Sequence, residues 1–122
     1  MTALRLSARR PQKYHAVSVV QDGIRFGSLK EARRYQELVL MQAAGIVRNL
    51  EPHPAFDLWV LAPNGEVVSV GTYTADAKYD LDVDGTWQTI VEDTKSPPSR
   101  TEAYRLRKRI VEAIYGIRVT EV

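Results

Sequence analysis

Asp76, Asp93 and Lys95 are the residues whose types and spacing could do chemistry, and they flank an Asp84-Gly85 pair. Asp-Gly marks a two-residue hairpin loop, because Gly accepts the positive φ of a tight turn. With that loop Val83 faces Thr86, and following the ladder down sets Asp76 opposite Asp93. Facing side chains have Cβ atoms about 4.5–5.5 Å apart. Two carboxylates roughly 5 Å apart repel by about 3 kcal/mol at an effective dielectric of 20. Such a pair calls for a cation between the acids or a proton on one of them. Lys95, two residues beyond Asp93, projects to the same face. Oxygen donors without cysteine or clustered histidines suit Mg²⁺ or Mn²⁺ rather than zinc.

Other elements must position these strands. A helix is predicted from Ser28 to just before Gly45, with Leu38, Tyr35, Val39, Ala32 and Ala43 on one arc. Glu31 falls inside that apolar arc. Ser28 and Glu31 also match a capping box, so Glu31 reads either as a cap or as a metal ligand. Glu51-Pro52-His53-Pro54 reads as an extended connector. Phe56–Leu61, an Asn64-Gly65 turn, a long strand Val67–Val83 with a bend at Gly71, and Thr86–Lys95 form a three-strand meander. A second helix, from about Thr101 to Tyr115, turns Ala103, Leu106, Ile110, Ala113 and Ile114 inward and Arg105, Lys108, Arg109 and Glu112 outward. Gly116 ends it. A last short strand beginning at Ile117-Arg118-Val119 should lie parallel to an earlier one, because a crossover helix precedes it. Ala16–Val20 and Ile24–Phe26 flank Asp22-Gly23 as an N-terminal hairpin. The expectation is one α/β domain over residues 14–122 with a mixed sheet, preceded by a loose basic arm over residues 1–13.

The chain has 122 residues, 44% of them hydrophobic, enough for one core and too many for a disordered segment. Without cysteine there is no disulfide framework. No run approaches the roughly 20 apolar residues that span a bilayer. The opening MTALRLSARRPQK lacks the apolar centre of a signal peptide, so a cytoplasmic protein with no membrane partner is expected. The net charge of +2 is unevenly spread. Arg5, Arg9, Arg10 and Lys13 crowd the start, and Arg100, Arg105, Arg107, Lys108 and Arg109 crowd residues 100–109 against Glu102 alone. Acids gather between them, at Asp76, Asp80, Asp82, Asp84, Glu92 and Asp93. Basic ends around an acidic centre suit polyanion contact beside a separate cation site, although solvated faces would look the same.

An acid on the first helix (Glu31), an acid on the second strand (Asp76) and Asp93-Thr94-Lys95 on the third resemble the PD-(D/E)XK nuclease superfamily. Ala75 stands where the superfamily's name carries Pro. The segments Phe26–Ala32 and Tyr73–Asp76 are similar to small phage-type endonucleases resembling Holliday-junction resolvases. The resemblance implies a restriction-endonuclease-like core and a Mg²⁺- or Mn²⁺-dependent endodeoxyribonuclease of phage or bacterial origin, cutting branched DNA as a homodimer. It makes Asp76, Asp93 and Glu31 metal ligands, with the Thr94 carbonyl as an extra one. Lys95 would orient the attacking water or stabilise the pentacovalent phosphorus. In that reading Arg9, Arg10, Lys13, Lys30, Arg33, Arg34, Arg100, Arg105, Lys108 and Arg109 contact DNA.

Competing readings of the same residues stay open. A less selective nuclease would cut linear duplex equally, and a non-catalytic module would bind DNA without cutting. A purely structural dimerisation module would bind none. Asp80–Gly85 resembles the start of a calcium loop, but Val91 stands where the bidentate Glu is required, and the flanks read as strands. Glu92 points away from Asp93 and reads as an ordinary salt-bridge partner. His15 and His53 are isolated, and Trp59 and Trp87 read as core or interface packing.

Overall fold

Two Asp-Gly turns with both residues at positive φ, Asp22-Gly23 and Asp84-Gly85, close hairpins whose strands twist in the natural sense. The computed structural model describes residues 5–6, 18–95 and 100–122. Around the first turn, β2 (Val19–Gln21) pairs with β3 (Ile24–Phe26). The arm is not wholly loose: β1 (Arg5–Leu6) adds antiparallel to β2. Arg9, Arg10, Lys13 and His15 lie outside the described residues.

Helix α1 (Leu29–Ala43) starts where Ser28 adopts an extended backbone and its hydroxyl accepts the Glu31 N–H at 3.2 Å. Gly45, at φ +80°, ends it. Only Ala32 and Leu38 of the predicted arc are fully buried, and Tyr35 packs beside them; Val39 and Ala43 are exposed. The apolar stripe is thus narrower than the wheel suggested.

The main sheet has the order β4 (Val47–Pro52), β7 (Ala77–Val83), β8 (Thr86–Asp93) and β9 (Val119–Glu121). β4 and β8 flank β7 antiparallel, and β9 runs parallel to β8, as the crossover helix requires. Helix α2 (Glu102–Tyr115) makes that crossover, capped by the Thr101 hydroxyl and ended by Gly116 in the left-handed region. The sheet is therefore mixed and the fold α/β.

Two expectations about the strands are corrected. The connector at Glu51-Pro52 belongs to β4. The long strand divides in two: β6 (Val67–Thr74) pairs with β5 (Ala55–Leu61) in a separate ribbon, and only β7 enters the main sheet. The bend foreseen at Gly71 is a bulge, where Leu58 faces Gly71 but Trp59 faces Ser69.

The main sheet is covered on both faces. On one, Ala77, Tyr79 and Ile90 pack against Leu38 of α1. On the other, Val91 and Val119 meet Tyr104 and Val111 of α2 and Leu58 and Tyr73 at the ribbon's base. The inward stripe of α2 is Tyr104 and Val111; Ala103, Leu106 and Ala113 are exposed, which corrects the predicted inner face. Among the described residues no helix is long and apolar enough to cross a membrane.

Candidate active site

Asp76 stands where the chain leaves the ribbon for the main sheet. Its neighbour Ala75 donates its N–H to the Pro54 carbonyl at 3.0 Å, while Asp76 donates its own to Glu92 at 3.1 Å. The Asp76 carbonyl accepts the His53 N–H at 3.0 Å. These bonds fix the backbone at the seam between the two sheets. The regular ladder runs from Val83↔Thr86 to Ala77↔Glu92, then slips by one residue, because Asp76 bonds to Glu92 rather than continuing the pairing. The expected direct pairing of Asp76 with Asp93 is therefore offset by that slip. The two carboxyls still meet: Asp76 lies within hydrogen-bonding reach of Asp93, and its Oδ2 accepts the Thr94 N–H at 2.6 Å.

Asp93, the last residue of β8, is 1% exposed and accepts a hydrogen bond from the Tyr73 hydroxyl of β6. Its main chain accepts the Val122 N–H at 2.9 Å, and Lys95 N–H reaches the Val122 carbonyl at 3.2 Å. Val122 thereby extends the pairing of β8 with β9. Glu31, in the first turn of α1, turns its carboxyl toward Asp76 as well as Ser28. Gly27 makes room for it: a Cβ there would lie 2.6 Å from the Glu31 Oε2. Lys95 places its Nζ 4.5 Å from the centre of the Tyr104 ring.

Three carboxyls, Glu31, Asp76 and Asp93, thus run as a chain with one lysine beside them. Burial is the main force on Glu31, raising its pKa to about 8, and contact with Asp76 adds to it; Ser28 and Lys95 oppose the rise. Burial likewise raises Asp93 to about 6, with Asp76 adding and Tyr73 and Lys95 opposing. Among the described residues no trio of His, Cys, Asp or Glu is already gathered round one point as a closed metal-ligand set. The acids interact in sequence, Glu31 with Asp76 and Asp76 with Asp93. An oxygen-only set short of positive charge is chemically matched to a hard divalent cation.

Residues 11–120 match a family model described as "Protein of unknown function (DUF1064)". The chain belongs to the DUF1064 family. No curated protein and no solved structure matches it. The matched stretch takes in Glu31, Asp76, Asp93 and Lys95 together with both helices.

Two clefts lie near the acids in this DUF1064 protein, the first reaching Lys30 and Thr94, their chain neighbours, and the second reaching Asp93 itself. One, of about 560 Å³, lies along α1 and is lined by Lys30, Arg33, Arg34, Glu37, Thr94 and Val122. Lys30 and Arg33 are exposed there. Arg34 is not an uncommitted DNA contact: its guanidinium holds both oxygens of Glu92, at 2.8 and 3.0 Å, and approaches Glu37 at 3.5 Å. The basic run on α2 also divides. Arg100 and Lys108 pair with Glu121 at 3.2 and 3.6 Å, while Arg105 and Arg109 are exposed. Lys108, expected on the outer face, is half-buried, and Glu112 accepts the Val119 N–H at 2.8 Å.

Sequence reasoning missed Tyr73 and Tyr104, whose hydroxyls bind Asp93 and Glu121. Burial, with those carboxylates adding to it, pushes both phenols up. It also underrated Glu92, which is wholly buried and accepts the Tyr79 hydroxyl at 2.5 Å besides the Arg34 fork. The signal was present in the alternation, since an acid at 92 shares the α1-facing side with Tyr79 and Ile90. Trp59 and Trp87 are partly exposed rather than core; Arg48 lies 4.2 Å over the Trp87 ring.

Proposed function

We propose that this DUF1064 protein is a Mg²⁺- or Mn²⁺-dependent endodeoxyribonuclease of the PD-(D/E)XK type that cuts branched DNA as a homodimer. The observation that carries the reading is the convergence of Glu31 from α1, Asp76 from the β6–β7 seam, and Asp93 and Lys95 from the end of β8. The succession of α1, the β7–β8 hairpin, α2 and parallel β9 supports a restriction-endonuclease-like core.

Asp76, Asp93 and Glu31 would hold the cation, with the Thr94 carbonyl as the extra ligand that the superfamily resemblance implies. When bound, a divalent ion lowers the pKa of coordinated water and offsets charge on the phosphate. The chain supplies the rest. Tyr73 fixes the Asp93 carboxyl, and the Thr94 amide fixes that of Asp76. Lys95, steadied against Tyr104, would hydrogen-bond the attacking water or a non-bridging phosphate oxygen. Lys30 and Arg33 would attract the neighbouring strand, an interaction that weakens with salt.

The deciding assay compares a synthetic four-way junction with a linear duplex, for wild type and Asp76→Asn, with Mg²⁺ and with chelator. Junction cutting that needs Mg²⁺ and is lost in Asp76→Asn is expected, with the duplex largely spared. Equal cutting of both substrates would make the protein a less selective nuclease. Salt-sensitive binding with no cutting under any metal, unchanged in Asp76→Asn, would make it a binding module and end the enzymatic reading.

A further inference from the structure

The second cleft, of about 340 Å³, opens on Asp93 and Lys95 from the side opposite α1. Its walls include Thr72 and Thr74 of β6, the cap residue Thr101, and Tyr104 and Arg107 of α2. Tyr104 is buried, whereas Thr72, Thr74, Thr101 and Arg107 are exposed. Arg107 follows Tyr104 by three residues and so leans to the same side of the helix. Arg100 and Lys108, by contrast, are both paired with Glu121. Among the described residues Arg107 makes no ion pair. A guanidinium fork, threonine hydroxyls and the Lys95 ammonium lining one cleft match the oxygens of a phosphate diester.

Resting on the nuclease reading above, we propose that this cleft is a phosphate subsite for the DNA strand being cut, with Arg107 as its anchor. The cleft holds a backbone phosphate adjacent to the one at the acids. The strand therefore passes from the α1 cleft across Asp76 and Asp93 toward α2. Arg107, absent from the residues that sequence alone marked as DNA contacts, is the α2 cation that meets this strand.

The test is binding of a labelled four-way junction in Ca²⁺, in place of Mg²⁺, across a salt series, alongside cleavage kinetics in Mg²⁺. Arg107→Ala should weaken binding by about tenfold and lower the slope of log K against log salt by about 1. Its KM should rise far more than its kcat falls. Arg107→Lys, which keeps the charge but not the fork, should restore the slope and part of the affinity. Arg118→Ala, an exposed arginine outside both clefts, should bind as wild type does. An Arg107→Ala protein with wild-type affinity and slope, made from an active parent, overturns the subsite alone. A parent that neither binds nor cuts the junction overturns the nuclease reading, and the subsite with it.

Discussion

Glu92 and Asp93 are consecutive acids on one strand, both buried, and the fold treats them in opposite ways. Glu92 faces α1 and receives a guanidinium on both oxygens plus the Tyr79 hydroxyl. Asp93 faces the ribbon and α2, receives one phenol, and shares its remaining space with Asp76. A buried carboxylate with a counter-ion is a structural part; one set against another acid is held in a state that favours a proton or a cation. The contrast separates what the first acid does for the fold from what the second can do for chemistry.

Exchanging each charge for an amide should break the contrast cleanly. Asp93→Asn is expected to lower Mg²⁺-dependent cleavage by on the order of a thousandfold while leaving the melting temperature level or raised. Glu92→Gln should do the reverse in kind. Stranding Arg34 costs about 3 kcal/mol, a fall in Tm of about 10 °C or more, with cutting by the still-folded fraction retained. Calorimetry and junction cleavage on the same preparations would read both. If the two variants lost stability and activity in parallel, the division of labour would be wrong.

Local chemistry made much of this legible in the sequence. Ser28, Gly45, Thr101 and Gly116 bound their helices because caps act within one turn, and Asp84-Gly85 set the β7–β8 register because a two-residue loop allows little choice. That register put Asp76, Asp93 and Lys95 on one face to within the one-residue slip, helix periodicity put Glu31 in the buried arc, and the superfamily resemblance joined the four. Partners distant in the chain decided the rest. Nothing local breaks Val67–Val83 at Ala75-Asp76; the break exists because Ala75 bonds Pro54, just before β5, while Asp76 bonds Glu92 of β8. The face of α2 was misjudged because a hydropathy wheel ignores reach. Tyr104 packs inward while its hydroxyl meets Glu121, and Leu106 is left in solvent.

A smaller perturbation sharpens the role of Glu31. Gly27 is not at positive φ, so its backbone accepts alanine, but the new Cβ would displace the Glu31 carboxyl from its place beside Asp76. Gly27→Ala should weaken Mn²⁺ binding by about tenfold, as moving a ligand does, without loss of thermal stability. In a Glu31→Ala background the same change should add nothing, since the displaced group is gone. Unaltered Mn²⁺ affinity in Gly27→Ala would return Glu31 to a capping role.

The subtlest expected effect is the pH dependence of the metal-free protein. Glu31, raised from 4.5 to about 8, and Asp93, raised from 3.8 to about 6, bind protons more tightly folded than unfolded. Unfolding therefore releases protons at intermediate pH, and stability falls as pH rises. Their stabilising contribution is complete below about pH 4 and is lost as pH climbs through about 6 for Asp93 and about 8 for Glu31. Thermal melts in chelator should show Tm declining from pH 5 to pH 8.5, with Glu31→Gln removing the upper part of the decline. Millimolar Mg²⁺ should restore more stability at pH 8 than at pH 5, because a cation competes with protons for the same oxygens. A flat metal-free profile would mean that Asp93 is already as well satisfied as Glu92, and the difference between the neighbouring acids would vanish.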